Sequence, residues 1–234
     1  MTCAELLRLL ADWGGEIIAA LAGALAGAGL AFLFQNSRED RIKRNERFEA
    51  VIRAQHSLYF MWMILANIRF NRLDPRRAEN TRHRSLGIIW TSDDIVEFDF
   101  DAITFLHRRE YRSLLTNLFL SQRACKSAIE SVDLRNKYFS DLIPGPGAEY
   151  SFQTESKTLG QMVDPIKDSL LESATNEMYK TIDNGMKLIE RTFADLRKCA
   201  KEVFPDEAGL LSETNLTKDG YDAARGASPP TQQV

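Results

Sequence analysis

The sequence holds few residues suited to metal or covalent chemistry. Its three cysteines, Cys3, Cys125 and Cys199, are odd in number and far apart, and no Cys-x-x-Cys pair occurs, so neither a disulfide framework nor a zinc site is expected. Cys125 and Cys199 fall among apolar positions of predicted helices, where a thiol acts as a small hydrophobe. The three histidines, His56, His83 and His107, form no His-x-x-x-His or His-Glu-x-x-His pattern. No nucleophile elbow, dinucleotide fingerprint or Walker sequence is present. Gly145-x-Gly147 lacks the strand before it and the basic residue after it that a phosphate loop requires. A chain without enzymatic activity, cofactor or metal is the expectation. A net charge of −3 provides no overall attraction for nucleic acid, which leaves only a local basic patch for such a partner.

What the sequence does have is one long hydrophobic run. Residues 17–34 read IIAALAGALAGAGLAFLF, without a charged or strongly polar side chain. At about 1.5 Å per residue this run spans about 27 Å, close to the hydrocarbon thickness of a bilayer. Every helical face is apolar, unlike the one-sided stripe of a soluble surface helix. The preceding flank carries Glu5, Asp12 and Glu16 against Arg8 alone, opposite to the basic start of a cleaved leader, so an anchor is expected. Arg38, Arg41, Lys43, Arg44 and Arg47 follow the run. By the positive-inside rule they place the N-terminus outside and the remaining chain in the cytoplasm, at the cell (inner) membrane.

Trp13 is expected at the membrane interface, with Arg38, Arg41, Lys43 and Arg44 at the other edge. Ala19, Gly23, Gly27 and Ala31 recur every four residues, a small-residue stripe through which two such helices can approach closely. The expected partners are therefore the lipid bilayer, further copies of the chain, and an unidentified cytosolic protein.

The predicted fold is all-α: a single transmembrane helix continuing into a bundle of about three long helices. Its divisions are a lead-in at 1–13, the transmembrane helix at 14–35, a helical domain at 36–211 and a disordered tail at 212–234. No Pro or Gly interrupts the chain between Phe34 and Pro75, so one helix should run on directly to the Asp74-Pro75 stop. Phe48, Val51, Leu58, Trp62 and Leu65 mark its core stripe, with Gln55 in the gap. A second helix is expected over about 103–139, with Leu114, Leu118, Cys125, Ile129 and Val132 inward. A third should start at the Asp164 cap with Pro165 in its first turn. There Leu170, Ala174, Met178, Ile182, Met186, Ile189, Phe193, Leu196, Ala200 and Val203 step by about 3.7 residues. The Pro144 to Gly147 cluster begins a loop of about twenty residues between helices two and three.

Two charged segments remain. Arg72, Arg76, Arg77, Arg82 and Arg84 make a basic loop, a candidate docking site for an acidic partner or nucleic acid. Asp93, Asp94, Glu97, Asp99 and Asp101 follow it. Glu97-Phe98-Asp99-Phe100-Asp101 alternates as an extended or strand-like segment near 95–101 would, aromatics inward and carboxylates outward. Without the glycine and spacing of a calcium loop, these acids are expected to cap helices and pair with the arginines rather than hold a cation. The overall expectation is a single-pass, membrane-anchored interaction or scaffold module that localises, and through the stripe oligomerises, a cytoplasmic domain. An oligomeric membrane-perturbing or pore-forming protein is the rival, although the run lacks a polar face to line a channel. A sensor acting through the basic loop is the third reading.

Overall fold

The computed structural model describes residues 3–91, 97–107, 110–142, 164–211 and 216–226, with side chains from Ala20 onward except at 224 and 225. The chain is predominantly helical, and no strand occurs among the described residues. Helix α1 is Cys3–Ile68, α2 Arg82–Ser85, α3 Arg112–Leu142, α4 Pro165–Val203 and α5 Lys218–Gly226. Residues 3–13, the expected lead-in, belong to α1. Two compact units, Met1–Glu49 and Ala50–Val234, divide the chain within α1.

In the first unit every described side chain from Ala20 to Lys43 is exposed. Helix α1 is long and apolar enough to cross a membrane, and none of its apolar window is buried. Trp13 and Ala19 lie outside the residues whose side chains are described.

The second unit is built on α3 and α4, which pack along one another, with the distal part of α1 supplying a third core face. Val51, Leu58, Trp62 and Leu65 are buried as their spacing predicts, and Met61 is buried beside them. Gln55 is also buried, with its amide nitrogen lacking a partner among the described residues. At Gly185 of α4 a Cβ would lie 3.2 Å from Leu65 Cδ1, so the hydrogen side chain permits a close helix approach. Two hydroxyl pairs, Ser121–Thr192 at 2.9 Å and Ser131–Thr181 at 2.8 Å, join α3 to α4 and satisfy polar atoms that face the interface.

Four differences from the sequence expectation have local causes. Helix α1 does not continue as an α-helix to Asp74. It widens into a π-turn at Arg69–Leu73 and tightens to a 3₁₀ turn at Asp74–Arg76, where Pro75 cannot donate a backbone hydrogen bond. The second helix starts at Arg112 rather than near 103. Asp99 caps the Ala102 amide and Asp101 O accepts from Thr104, so side-chain and turn bonds replace the α-helix, leaving a 3₁₀ turn at Thr104–His107.

The strand-like segment is not a strand where it is described. Phe98 and Phe100 do turn inward and Glu97, Asp99 and Asp101 outward, but the Phe100 amide bonds back to Phe98 O instead of to a neighbouring strand. Asp93 and Asp94 lie outside the described residues, as do residues 143–163, where the long loop is expected.

In α4 the core stripe begins at Leu171 and Thr175 rather than Leu170 and Ala174, and Leu170 is 45% exposed. Thr175 can face the core because its hydroxyl donates to Leu171 O at 2.7 Å within the same helix. From Met178 to Ala200 the expected positions are buried, and Val203 is half-buried. Asp164 caps the helix as expected, accepting from the Ile166 amide at 2.9 Å.

Candidate functional site

The basic segment after α1 is stapled to α4. Arg77 Nη2 donates to Asp183 at 2.7 Å, and Arg82 Nη2 donates to Asn176 at 2.7 Å. Arg84 grips Asp168 with two parallel bonds of 2.8 and 2.6 Å. The Tyr179 ring lies beneath two of these guanidiniums, 5.3 Å from Arg77 and 5.2 Å from Arg82, and its hydroxyl donates to Leu73 O at 2.9 Å. These three arginines thus take partners on α4; Asp93 and Asp94, expected among their partners, lie outside the described residues. Arg76 is 3.7 Å from Glu79, and Arg72 is exposed. Of the five arginines proposed as a docking loop, three are engaged by α4.

Hydrogen bonding from Arg84 holds the Asp168 carboxyl below the usual carboxylate range; partial burial opposes this, and nearby His83 adds to it. Because the folded pKa is depressed, this stabilisation is complete above the unfolded value near 4 and is lost as pH falls through the folded value. Asp168→Asn is expected to cost about 1 kcal/mol at neutral pH, a figure discounted for the half-exposed Arg84. It should also flatten the acid limb of a urea-midpoint profile measured below about pH 4. An unchanged acid limb would show that this pair does not couple to folding.

Sequence reasoning missed Arg135. It sits on the α3 core stripe between Val132 and Phe139 and is 0% exposed. Its guanidinium donates to Gly87 O at 2.6 Å, to His83 O at 2.9 Å and to Leu86 O, and stacks 4.6 Å from the Phe139 ring. Burial lowers its pKa to about 10, which still leaves it charged at neutral pH. Next to it, Asn136 both donates to Ile89 O at 2.7 Å and accepts from the Ile89 amide at 3.1 Å, as a neighbouring strand would. The signal was present in the register: an arginine on an otherwise apolar stripe implies a buried charge with its own acceptors.

His83 is buried beside this cluster, with Nε2 3.3 Å from Asp168 Oδ1 but not aligned for a hydrogen bond. Its Nδ1 has no partner among the described residues. Cys125 and Cys199 are buried, and desolvation raises each thiol to about 11, away from nucleophilic chemistry at neutral pH. Among the described residues, no group of three or more His, Cys, Asp or Glu could hold a metal ion.

A groove of about 600 Å³ lies between α4 and the chain at Leu216 and Thr217. Phe193 and Leu216 are its apolar wall, and Arg197, Lys198 and Lys201 bring three cations to it. Glu190, also on the lining, accepts the Trp62 indole N–H at 2.9 Å.

The sequence-predicted membrane residues form a separate set. Gly23 and Gly27 have nothing within 4 Å of an added Cβ, and Ala31 is exposed. Arg38, Arg41 and Lys43 are exposed, while Arg44 is half-buried. No family model, curated protein or solved structure matches this chain.

Proposed function

We propose that the chain is a single-pass, membrane-anchored interaction module without enzymatic activity. In this reading α1 crosses the cell (inner) membrane with the N-terminus outside and holds the helical unit in the cytoplasm, where it meets a protein partner. The observation that carries the reading is the apolar run's exposure on every face. Leu25 is 73% and Phe34 75% exposed, while the second unit buries its own core without them. Six large apolar side chains between Leu21 and Phe34 left in water would forgo on the order of 10 kcal/mol of burial. A bilayer supplies that burial.

The glycine stripe supports self-association. Among the described residues, nothing beyond the helix's own backbone lies within 4 Å of a Cβ added at Gly23 or Gly27, so no packing seen within one copy calls for their small size. Gly23→Leu with Gly27→Leu should therefore leave the fold intact and reduce crosslinked dimer in detergent by about tenfold, the effect of separating two closely packed helix backbones. Equal crosslinking in both forms would remove the stripe from the contact. Alkaline carbonate extraction tests the anchor itself: the chain should stay with the membrane pellet, and its release would overturn the reading.

A further inference from the structure

The cationic groove on α4 has an unmet hydrogen-bonding demand. Arg197 Nε is shielded from solvent and has no acceptor among the described residues, although Arg197 as a whole is only half-buried. Such a donor ordinarily finds a partner. Lys198 and Lys201, both exposed, stand one helical turn apart at the same groove, and no acid among the described residues pairs with either. The carboxylate on the lining, Glu190, already receives the Trp62 N–H. Cations therefore outnumber acids three to one on the lining, beside the apolar surface of Phe193 and Leu216.

Lys187, Arg191 and Ala194 continue the exposed α4 face towards its middle, at the 4- and 3-residue steps that keep side chains on one side. Asp195 partly offsets Arg191, at 4.0 Å, and Glu202 is an exposed acid beyond the groove. The excess of positive charge thus centres on the groove rather than on the whole helix.

We propose that this groove is an anion-binding site for the phosphate headgroup of an acidic membrane phospholipid. The cations would meet the phosphate and carboxylate of the headgroup, and the apolar wall the first carbons beyond it. This rests on the anchoring reading above. Only residues 35–49 separate the apolar run from the second unit, and fifteen residues cannot reach farther than about 50 Å even fully extended. Residue 50, where that unit begins, therefore cannot leave the bilayer surface by more than this distance. Near an anionic surface each basic side chain contributes about a fivefold attraction.

The test uses the full chain in nanodiscs of phosphatidylcholine alone and of phosphatidylcholine with phosphatidylserine. Amide hydrogen exchange is followed at residues 216–221 and at 193–201. With phosphatidylserine present, exchange at 216–221 should slow by about tenfold, and raised salt should reverse it. The combined variant Arg197→Gln, Lys198→Gln, Lys201→Gln should lose the lipid dependence; its helicity and melting are checked alongside, and the salt reversal in the unaltered chain reads the same charges without mutation.

Equal exchange in the two lipids, or lipid dependence that survives the triple variant, overturns the proposal. Slowing by inorganic phosphate in phosphatidylcholine discs, with none from phosphatidylserine, assigns the groove to a soluble phosphate compound and overturns the lipid as occupant. Release of the unaltered chain by alkaline extraction overturns the anchoring reading and the tether with it. Retention with unchanged exchange overturns the groove proposal alone.

Discussion

Replacing Arg135 with alanine is expected to destabilise the Ala50–Val234 unit by about 3–5 kcal/mol, the cost of breaking a buried charged network by removing one partner. The guanidinium is fully buried and serves three consecutive-turn carbonyls, those of His83, Leu86 and Gly87. Alanine would leave these oxygens without their donor and open a void beneath Phe139, whose ring stacks on the guanidinium. Arg135→Lys keeps the charge but offers no planar fork, and it should recover only part of the loss. Arg135→Met fills the volume without any donor and should fall between alanine and the unaltered chain.

Urea unfolding followed by circular dichroism measures the global effect, and limited proteolysis measures the local one. Residues 83–89 should become the first cleavage site, because Arg135 and Asn136 supply their main hydrogen bonds to α3. A loss below about 1 kcal/mol for Arg135→Ala would mean that water can replace the guanidinium and that the segment is not held as described.

The second large effect is expected at Tyr221, in the part of the chain that composition assigns to a disordered tail. Within that part Lys218–Gly226 is helical and Tyr221 is 2% exposed. Its ring lies 5.4 Å from Phe70 and 6.4 Å from Trp62, and its hydroxyl accepts from Asn71 at 2.6 Å and donates to Asn67 at 3.1 Å. Tyr221→Ala should cost about 3–5 kcal/mol, as large aromatic truncations in cores do. Tyr221→Phe keeps the ring and loses two hydrogen bonds, which should cost about 1–2 kcal/mol. A chain ending after Leu211 should match or exceed the alanine loss and shift Trp62 fluorescence to the red as the indole meets water. Unchanged stability after that truncation would show that α5 does not pack on the distal end of α1.

Several features were legible without coordinates because their causes are local. The α4 start follows from Asp164 and Pro165, adjacent residues that supply a cap and a preset backbone angle. The core stripes of α1 and α3 follow from helical periodicity, and Val51, Trp62, Leu118, Cys125 and Val132 all face inward. The apolar run of α1 is visible in composition alone.

Other features depend on residues far apart in the chain. The arginines at 77, 82 and 84 look like a docking loop until α4 brings Asp183, Asn176 and Asp168 against them from about a hundred residues away. The alternation at 97–101 has strand spacing, yet strand formation needs a neighbouring chain to accept its hydrogen bonds. Turn and side-chain acceptors take them instead. The groove on α4 likewise needs Leu216, brought back from beyond the end of that helix.

By itself, then, the sequence determined a predominantly helical chain with one helix long and apolar enough to cross a membrane and an amphipathic pattern that buries much of the rest. These are properties of neighbouring residues and of hydrophobic period. Only the tertiary structure decided which charges are neutralised, which are buried and which remain available to a ligand. Charge pairing depends on distance in space, and the packing of α3, α4 and the distal part of α1 sets those distances.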